Sequence, residues 1–163
     1  MATMKQLIAN LWFDTQAEEA AKFYCSIFKD SKLGTITHYS EKVAEVAKMP
    51  AGSVLTAQFE IMGQKFIALN GGPAFKLSEA FLLMIPVDSQ EELDYYWNAL
   101  STNGGEESYC GWLKDKFGLS WQVGPAKLEE WMRDPVAGER VMAAIMDMRK
   151  LDYATLERAY NGS

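Results

Sequence analysis

The sequence predicts an α+β fold made of two strand, helix, three-strand halves followed by a run of helices. Two observations carry this. The first is a repeat: Asp14-Thr15-Gln16-Ala17-Glu18-Glu19 returns as Asp88-Ser89-Gln90-Glu91-Glu92-Leu93, each copy leaving an apolar stretch and entering a helical pattern. A recurring supersecondary unit decides the architecture, and folds of two similar halves tend to enclose a site. The second is the ending Leu69-Asn70-Gly71-Gly72-Pro73, matched by Trp121-Gln122-Val123-Gly124-Pro125.

In the first half, Gln6 to Phe13 reads as a strand and Thr15 opens a helix that runs to about Phe28. Thr15 and Glu18 have the spacing of a capping box, in which two side chains satisfy orphan amide donors. Lys32 to Tyr39, Ser53 to Ile61 and Gln64 to Asn70 follow as strands, with Met62-Gly63 as the last turn. In the second half Phe81 to Val87 is the opening strand, Ser89 and Glu92 repeat the cap, and the helix ends near Leu100. Glu106 to Cys110, Leu113 to Lys116 and Leu119 to Val123 are shorter strands, set off by Gly104-Gly105 and Phe117-Gly118. The two endings align at an offset smaller than that of the two openings, and the loop from Ser40 to Gly52 is the simplest place for the extra length of the first half.

After Pro125 the pattern turns helical: Ala126 to Met132, Pro135 to Met148 behind the cap Asp134, and Asp152 to Tyr160. Val136, Val141, Met142, Ile145 and Met146 suit this tail for packing. The expectation is a single domain of residues 1–163, with module one at about 6–73, module two at about 80–125 and the tail at about 126–160.

Composition excludes several roles. The 163 residues are 48% hydrophobic and 12% aromatic, a globular balance. No apolar run approaches the ~20 residues that span a bilayer, and Met1-Ala2-Thr3-Met4-Lys5 lacks a leader's apolar core, so no membrane and a cytoplasmic location are expected. A net charge of -6 opposes nonspecific attraction to nucleic acid. Cys25 and Cys110 fall in different halves and form no paired metal motif, so both are expected as reduced thiols.

Leu11-Trp12-Phe13-Asp14, Ala17-Glu18-Glu19-Ala20, Phe23-Tyr24, the run Cys110-Gly111-Trp112-Leu113-Lys114-Asp115-Lys116-Phe117-Gly118-Leu119-Ser120-Trp121-Gln122, and Pro125 closely resemble the PhnB-like proteins. That group carries the label 3-demethylubiquinone-9 3-methyltransferase domain, within the vicinal oxygen chelate superfamily of glyoxalase, bleomycin-resistance and extradiol dioxygenase proteins. The resemblance runs from about residue 6 into the C-terminal helices. It implies paired βαβββ modules, the glyoxalase/bleomycin resistance/dioxygenase fold, with sheets curved around a cavity and two copies associating as a homodimer. For the methyltransferase activity in the label, the chain offers no glycine-rich loop after a strand to seat a nucleotide-like methyl donor.

Strand alternation sorts the side chains. If helices cover the apolar faces, Asn10, Trp12, Gln58, Asn70, Ser120 and Gln122 share the opposite, concave side, with Trp112 joining them as a ligand-binding candidate. Such an amide-rich wall suits a neutral or carbonyl-bearing small molecule. Metal chemistry in the superfamily uses His and Glu from the first and last strands of each module. Here Asn70 and Gln122 stand at the fourth-strand positions, the opening strands lack His, and the lone His38 has no evident partner, so no metal and no cofactor are expected. Catalytic residues are unknown; the candidate is Cys110, beside Trp112 and near Lys114 and Lys116, whose thiol would need a nearby cation to become reactive. The expected function is binding of a small-molecule ligand in a metal-free cavity between modules. The alternatives are a metal-dependent isomerase, lyase or dioxygenase of the glyoxalase type, and the methyltransferase of the label.

Overall fold

A computed structural model describes residues 6–163, so the opening segment Met1 to Lys5 lies outside the described residues. The chain divides into two compact units, Met1–Leu77 and Ser78–Ser163.

The first unit runs β1 (Ala9–Phe13), α1 (Ala17–Ile27), β2 (Ser31–His38), α2 (Glu41–Ala47), β3 (Val54–Ile61) and β4 (Gln64–Asn70). Its sheet has the order β1-β4-β3-β2, with β1 parallel to β4 and the other pairs antiparallel. Leu11, Phe13, Ala57, Phe59, Ile61, Phe66 and Ala68 are buried at alternate positions, on the face that α1 covers with Ala17, Ala20, Ala21, Tyr24 and Ile27. Alanines facing alanines allow a close approach, and Tyr24, Phe59 and Phe66 fill the remaining space with ring centroids 5.7 and 5.0 Å apart.

Two expectations change here. The segment from Ser40 to Gly52, expected as a loop, contains α2, because the Ser40 hydroxyl accepts from the Val43 amide and caps a short helical run. The Thr15 capping box does not form. The side chain at the cap position Gln16 makes no capping bond, and Asn70 reaches across from β4 so that its Oδ1 accepts from the Ala17 amide at 2.8 Å. In β4, by contrast, the expected bounds stand. Met62 and Gly63 both have positive φ, 49° and 79°, the two-residue turn that matches strand twist. That turn fixes Ile61 opposite Gln64 and Glu60 opposite Lys65.

The second unit runs β5 (Leu82–Val87), α3 (Gln90–Ser101), β6 (Glu106–Glu107), β7 (Trp112–Lys114) and β8 (Ser120–Pro125), then α4 (Leu128–Trp131), α5 (Pro135–Met146) and α6 (Tyr153–Asn161). Its sheet order, β5-β8-β7-β6, repeats the first with the same parallel pair. Ser89 caps α3 by accepting from the Glu92 amide at 3.2 Å, while Glu92 accepts from the Asp88 amide at 2.9 Å. The serine half of the expected box forms here, while the Glu92 carboxylate reaches the amide one residue before the cap.

The ladder corrects the alignment of the two endings. Phe13 pairs with Asn70, whereas Val87, its counterpart, pairs with Pro125. Asn70 therefore corresponds to Pro125, and Gln122 corresponds to Ile67. The motif alignment was off by three residues, an odd number, which moves a strand residue to the other face of the sheet.

The tail follows its signals. Asp134 accepts from the Val136 and Ala137 amides, both at 2.9 Å, with Pro135 just inside the helix. Asp152 accepts from the Thr155 amide at 2.7 Å. Val141, Ile145, Leu151 and Leu156 are buried, but Val136, Met142 and Met146 are exposed, so only part of the expected packing stripe packs. Arg140 donates to the carbonyls of Ala159 and Tyr160 and so closes the C-terminus of α6. No helix among the described residues is long and apolar enough to cross a membrane.

Candidate functional site

With α1 on one face of the first sheet, the other face presents a grid of side chains set by strand register. Lys32, Glu60 and Lys65 lie side by side on β2, β3 and β4. Gln58, Ile67 and Asn10 form the next row, and Thr37, Thr56, Leu69 and Trp12 the third. Asn10, Trp12 and Gln58 are thus brought to one face, as alternation predicted. Gly34 sits beside Gln58, where an added Cβ would stand 3.2 Å from the Gln58 Cβ and carbonyl oxygen. The missing side chain opens a cleft of about 350 Å³ lined by Lys32, Gly34, Gln58, Glu60, Lys65 and Ile67.

The chemistry of this cleft is mixed. Lys32 pairs with Glu60 at 3.3 Å. Neither the Lys65 ammonium nor the Gln58 amide has a partner among the described residues. Trp12 bounds the far row: its indole N–H donates to the Gly72 carbonyl at 2.9 Å, and its ring meets Phe75 edge-on at 4.9 Å. A Cβ on Gly71 would fall 2.1 Å from that ring, so this glycine is required by close approach.

Asn70 is not on this wall. It lies on the helix-covered face, 4% exposed, and both ends of its amide are used: Oδ1 on the Ala17 amide and Nδ2 on the Val54 carbonyl at 3.1 Å. Tyr39 adds a hydrogen bond from its hydroxyl to the Asn70 carbonyl at 2.6 Å. Asn70 is a brace holding β4, α1 and the start of β3 together. A second cleft, about 440 Å³, lies above it among Thr15, Glu18, Lys22, Met49, Pro50 and Ser53. Glu18 is paired with Lys22 at 2.6 Å and the Asn70 amide is spent, so this larger cleft offers a ligand less than the smaller one.

In the second unit Trp112, Ser120 and Gln122 share the face opposite α3. The Gln122 amide donates to the Cys110 carbonyl at 3.0 Å. Ser120 is 1% exposed and its hydroxyl finds no hydrogen-bond partner. Cys110, at φ 61°, is pinned by its amide to the Met148 carbonyl at 2.8 Å, and its thiol faces the Met146 sulfur at 3.7 Å. The two lysines expected near it are engaged elsewhere. Lys114 holds Glu79 at 2.5 Å and Glu106 at 3.7 Å, contacts that raise its pKa and keep it charged, and Lys116 lies 4.8 Å over the Phe117 ring.

The most distinctive stretch of the sequence, Cys110 to Gln122, is a braced hairpin. Asp115 is 2% exposed, and its carboxylate accepts from the Phe117 amide at 2.8 Å, the Leu119 amide at 3.1 Å and the Trp121 indole at 2.8 Å. Three donors satisfy a buried charge, so the residue types of this segment follow from architecture.

A superfamily metal would need imidazole or carboxylate ligands converging on one point. Asn70 and Gln122 are tied into backbone hydrogen bonds, His38 is exposed at the end of β2, and no group of three or more His, Cys, Asp or Glu gathers among the described residues. The donor set does not fit such an ion. Sequence reasoning missed Lys32, Gly34 and Lys65; the signal for Lys65 was present, since a two-residue Met62-Gly63 turn places it opposite Glu60.

A family model described as 3-demethylubiquinone-9 3-methyltransferase matches residues 5–124. Among solved structures, a Bacillus cereus PhnB protein, provisionally described as a 3-demethylubiquinone-9 3-methyltransferase, is 29% identical with a TM-score of 0.66, over 75% of this chain and 100% of its own. A Pseudomonas aeruginosa protein is 20% identical with a TM-score of 0.61, over 75% of this chain and 98% of its own. A glyoxalase/bleomycin resistance protein from Albidiferax ferrireducens is 19% identical with a TM-score of 0.44, over 72% of this chain and 97% of its own. No curated protein matches the chain.

Proposed function

Because the chain belongs to the 3-demethylubiquinone-9 3-methyltransferase family, the group that includes PhnB proteins, we propose that it binds a small organic molecule on the open face of its first sheet, at Gln58. The observation that carries this reading is the 350 Å³ cleft floored by an amide with both donor and acceptor unspent. Clefts of this size that combine apolar walls with a few unsatisfied polar groups are the usual seats of small ligands. Methyl transfer is not part of the reading, because Gly71-Gly72 packs against the Trp12 ring instead of forming a phosphate-cradling loop. Metal-dependent isomerase, lyase or dioxygenase chemistry is not part of it either, since the donor set fails the fit above. Two further elements of the reading rest on resemblance and composition: association as a homodimer, and a cytoplasmic location, which accords with two unpaired thiols.

Native mass spectrometry of protein purified without additives tests the reading. The expected result is an organic mass retained by the wild type and lost in Gln58→Leu. Retention by Gln58→Leu together with loss in Trp112→Ala would overturn it in favour of the second sheet. The same spectra report subunit number, with twice 18.3 kDa expected for the dimer.

A further inference from the structure

We infer that the ligand of this cleft is a monoanion, a carboxylate or sulfonate carried on an apolar body; the inference rests on the reading that Gln58 marks the binding site. The Lys32, Glu60, Lys65 row carries two positive charges and one negative. Lys32 already neutralises Glu60 at 3.3 Å, and Lys65 is left without a carboxylate among the described residues. This local excess of one positive charge stands in a chain whose net charge is -6, so it runs against the sign of the molecule as a whole.

The rest of the cleft restricts the ligand further. Ile8 and Ile67 line it and give an apolar body something to bury against. Lys65 and Ile67 are two residues apart on β4, so the Lys65 and Gln58 rows are separated by roughly 7 Å along the strands. A single ring between an anionic group and a hydrogen-bonding group spans that distance. A phosphate dianion fits less well, because one uncompensated ammonium faces the site and no helix N-terminus or nest of backbone amides lines it. The sequence-based expectation of a neutral or carbonyl-bearing ligand considered the amides without the lysines that register brings beside them.

Two fluorescent probes of similar ring structure test this. One is 1-anilinonaphthalene-8-sulfonate, an anion, and the other N-phenyl-1-naphthylamine, which is neutral. Wild type should bind the anion more tightly, and Lys65→Met should weaken the anion by about fivefold while changing the neutral probe less than about twofold, the scale of one partly exposed ion pair. Lys42→Met, on the exposed surface of α2, should change neither. Ile67→Trp, or Ile67→Phe if the larger ring disturbs folding, fills the cleft and should weaken both probes, with circular dichroism confirming the fold. If filling the cleft leaves both probes unaffected, the site itself is misplaced. If it excludes both but Lys65→Met weakens them equally or not at all, the site stands and the anion inference is overturned.

Discussion

Asn70 and Asp115 show how polar residues that look functional in a sequence can serve the fold. Each is buried and each satisfies backbone donors that would otherwise be stranded. Replacing Asn70 with Ala leaves the Ala17 amide and the Val54 carbonyl unpaired, and urea unfolding should show a loss of about 2 kcal/mol. Asp115→Ala strands three donors and should cost about 3 kcal/mol or more. A Gln58→Leu chain, losing no internal hydrogen bond, should unfold close to wild type. Asn10, Trp12 and Gln58 were legible as one face because strand alternation needs no tertiary information. Asn70 was not, because its side chain acts on a helix 53 positions away in sequence, which only the folded chain reveals.

Capping governs the elements. The Asp134 and Asp152 carboxyls are held below the usual carboxylate range, Asp134 by the Ala137 and Val136 amides and Asp152 by the Thr155 side chain and amide. A depressed folded-state pKa means stabilisation that is present above the unfolded value of about 3.9 and lost as pH falls through the folded value. The melting temperature should therefore be flat from neutral pH to about 5 and decline below about 4. Asp152→Asn can still accept the Thr155 amide but does not titrate, so its melting curve should decline less over that acidic interval; an identical decline would remove Asp152 from the account. Strands and helices were read from periodicity with ends shifted by a few residues. The α2 helix was missed because its seven residues, Glu41–Ala47, give too short a pattern to separate from a loop.

For the whole molecule the sequence disclosed the duplication, and the structure disclosed where the copies differ. Both sheets share one strand order, yet the first unit caps its helix from Asn70 on the neighbouring strand β4 and the second caps its helix from the adjoining serine. The boundary between the units falls within residues 71–81, which hold no helix or strand, and Lys76 is exposed there. Limited trypsin treatment should cut first after Lys76, and N-terminal sequencing of the larger fragment would identify the site; a first cut within α1 or α3 would contradict the two-unit division. The tryptophans divide unevenly: Trp12 lies in the first unit and Trp97, Trp112, Trp121 and Trp131 in the second. Grown with 5-fluorotryptophan, the protein should give a fluorine spectrum in which one resonance watches the open face of the first sheet from within, assignable by a single Trp12→Phe control. The indole that anchors the Gly71-Gly72 turn thus doubles as an isolated beacon for occupancy of its own sheet.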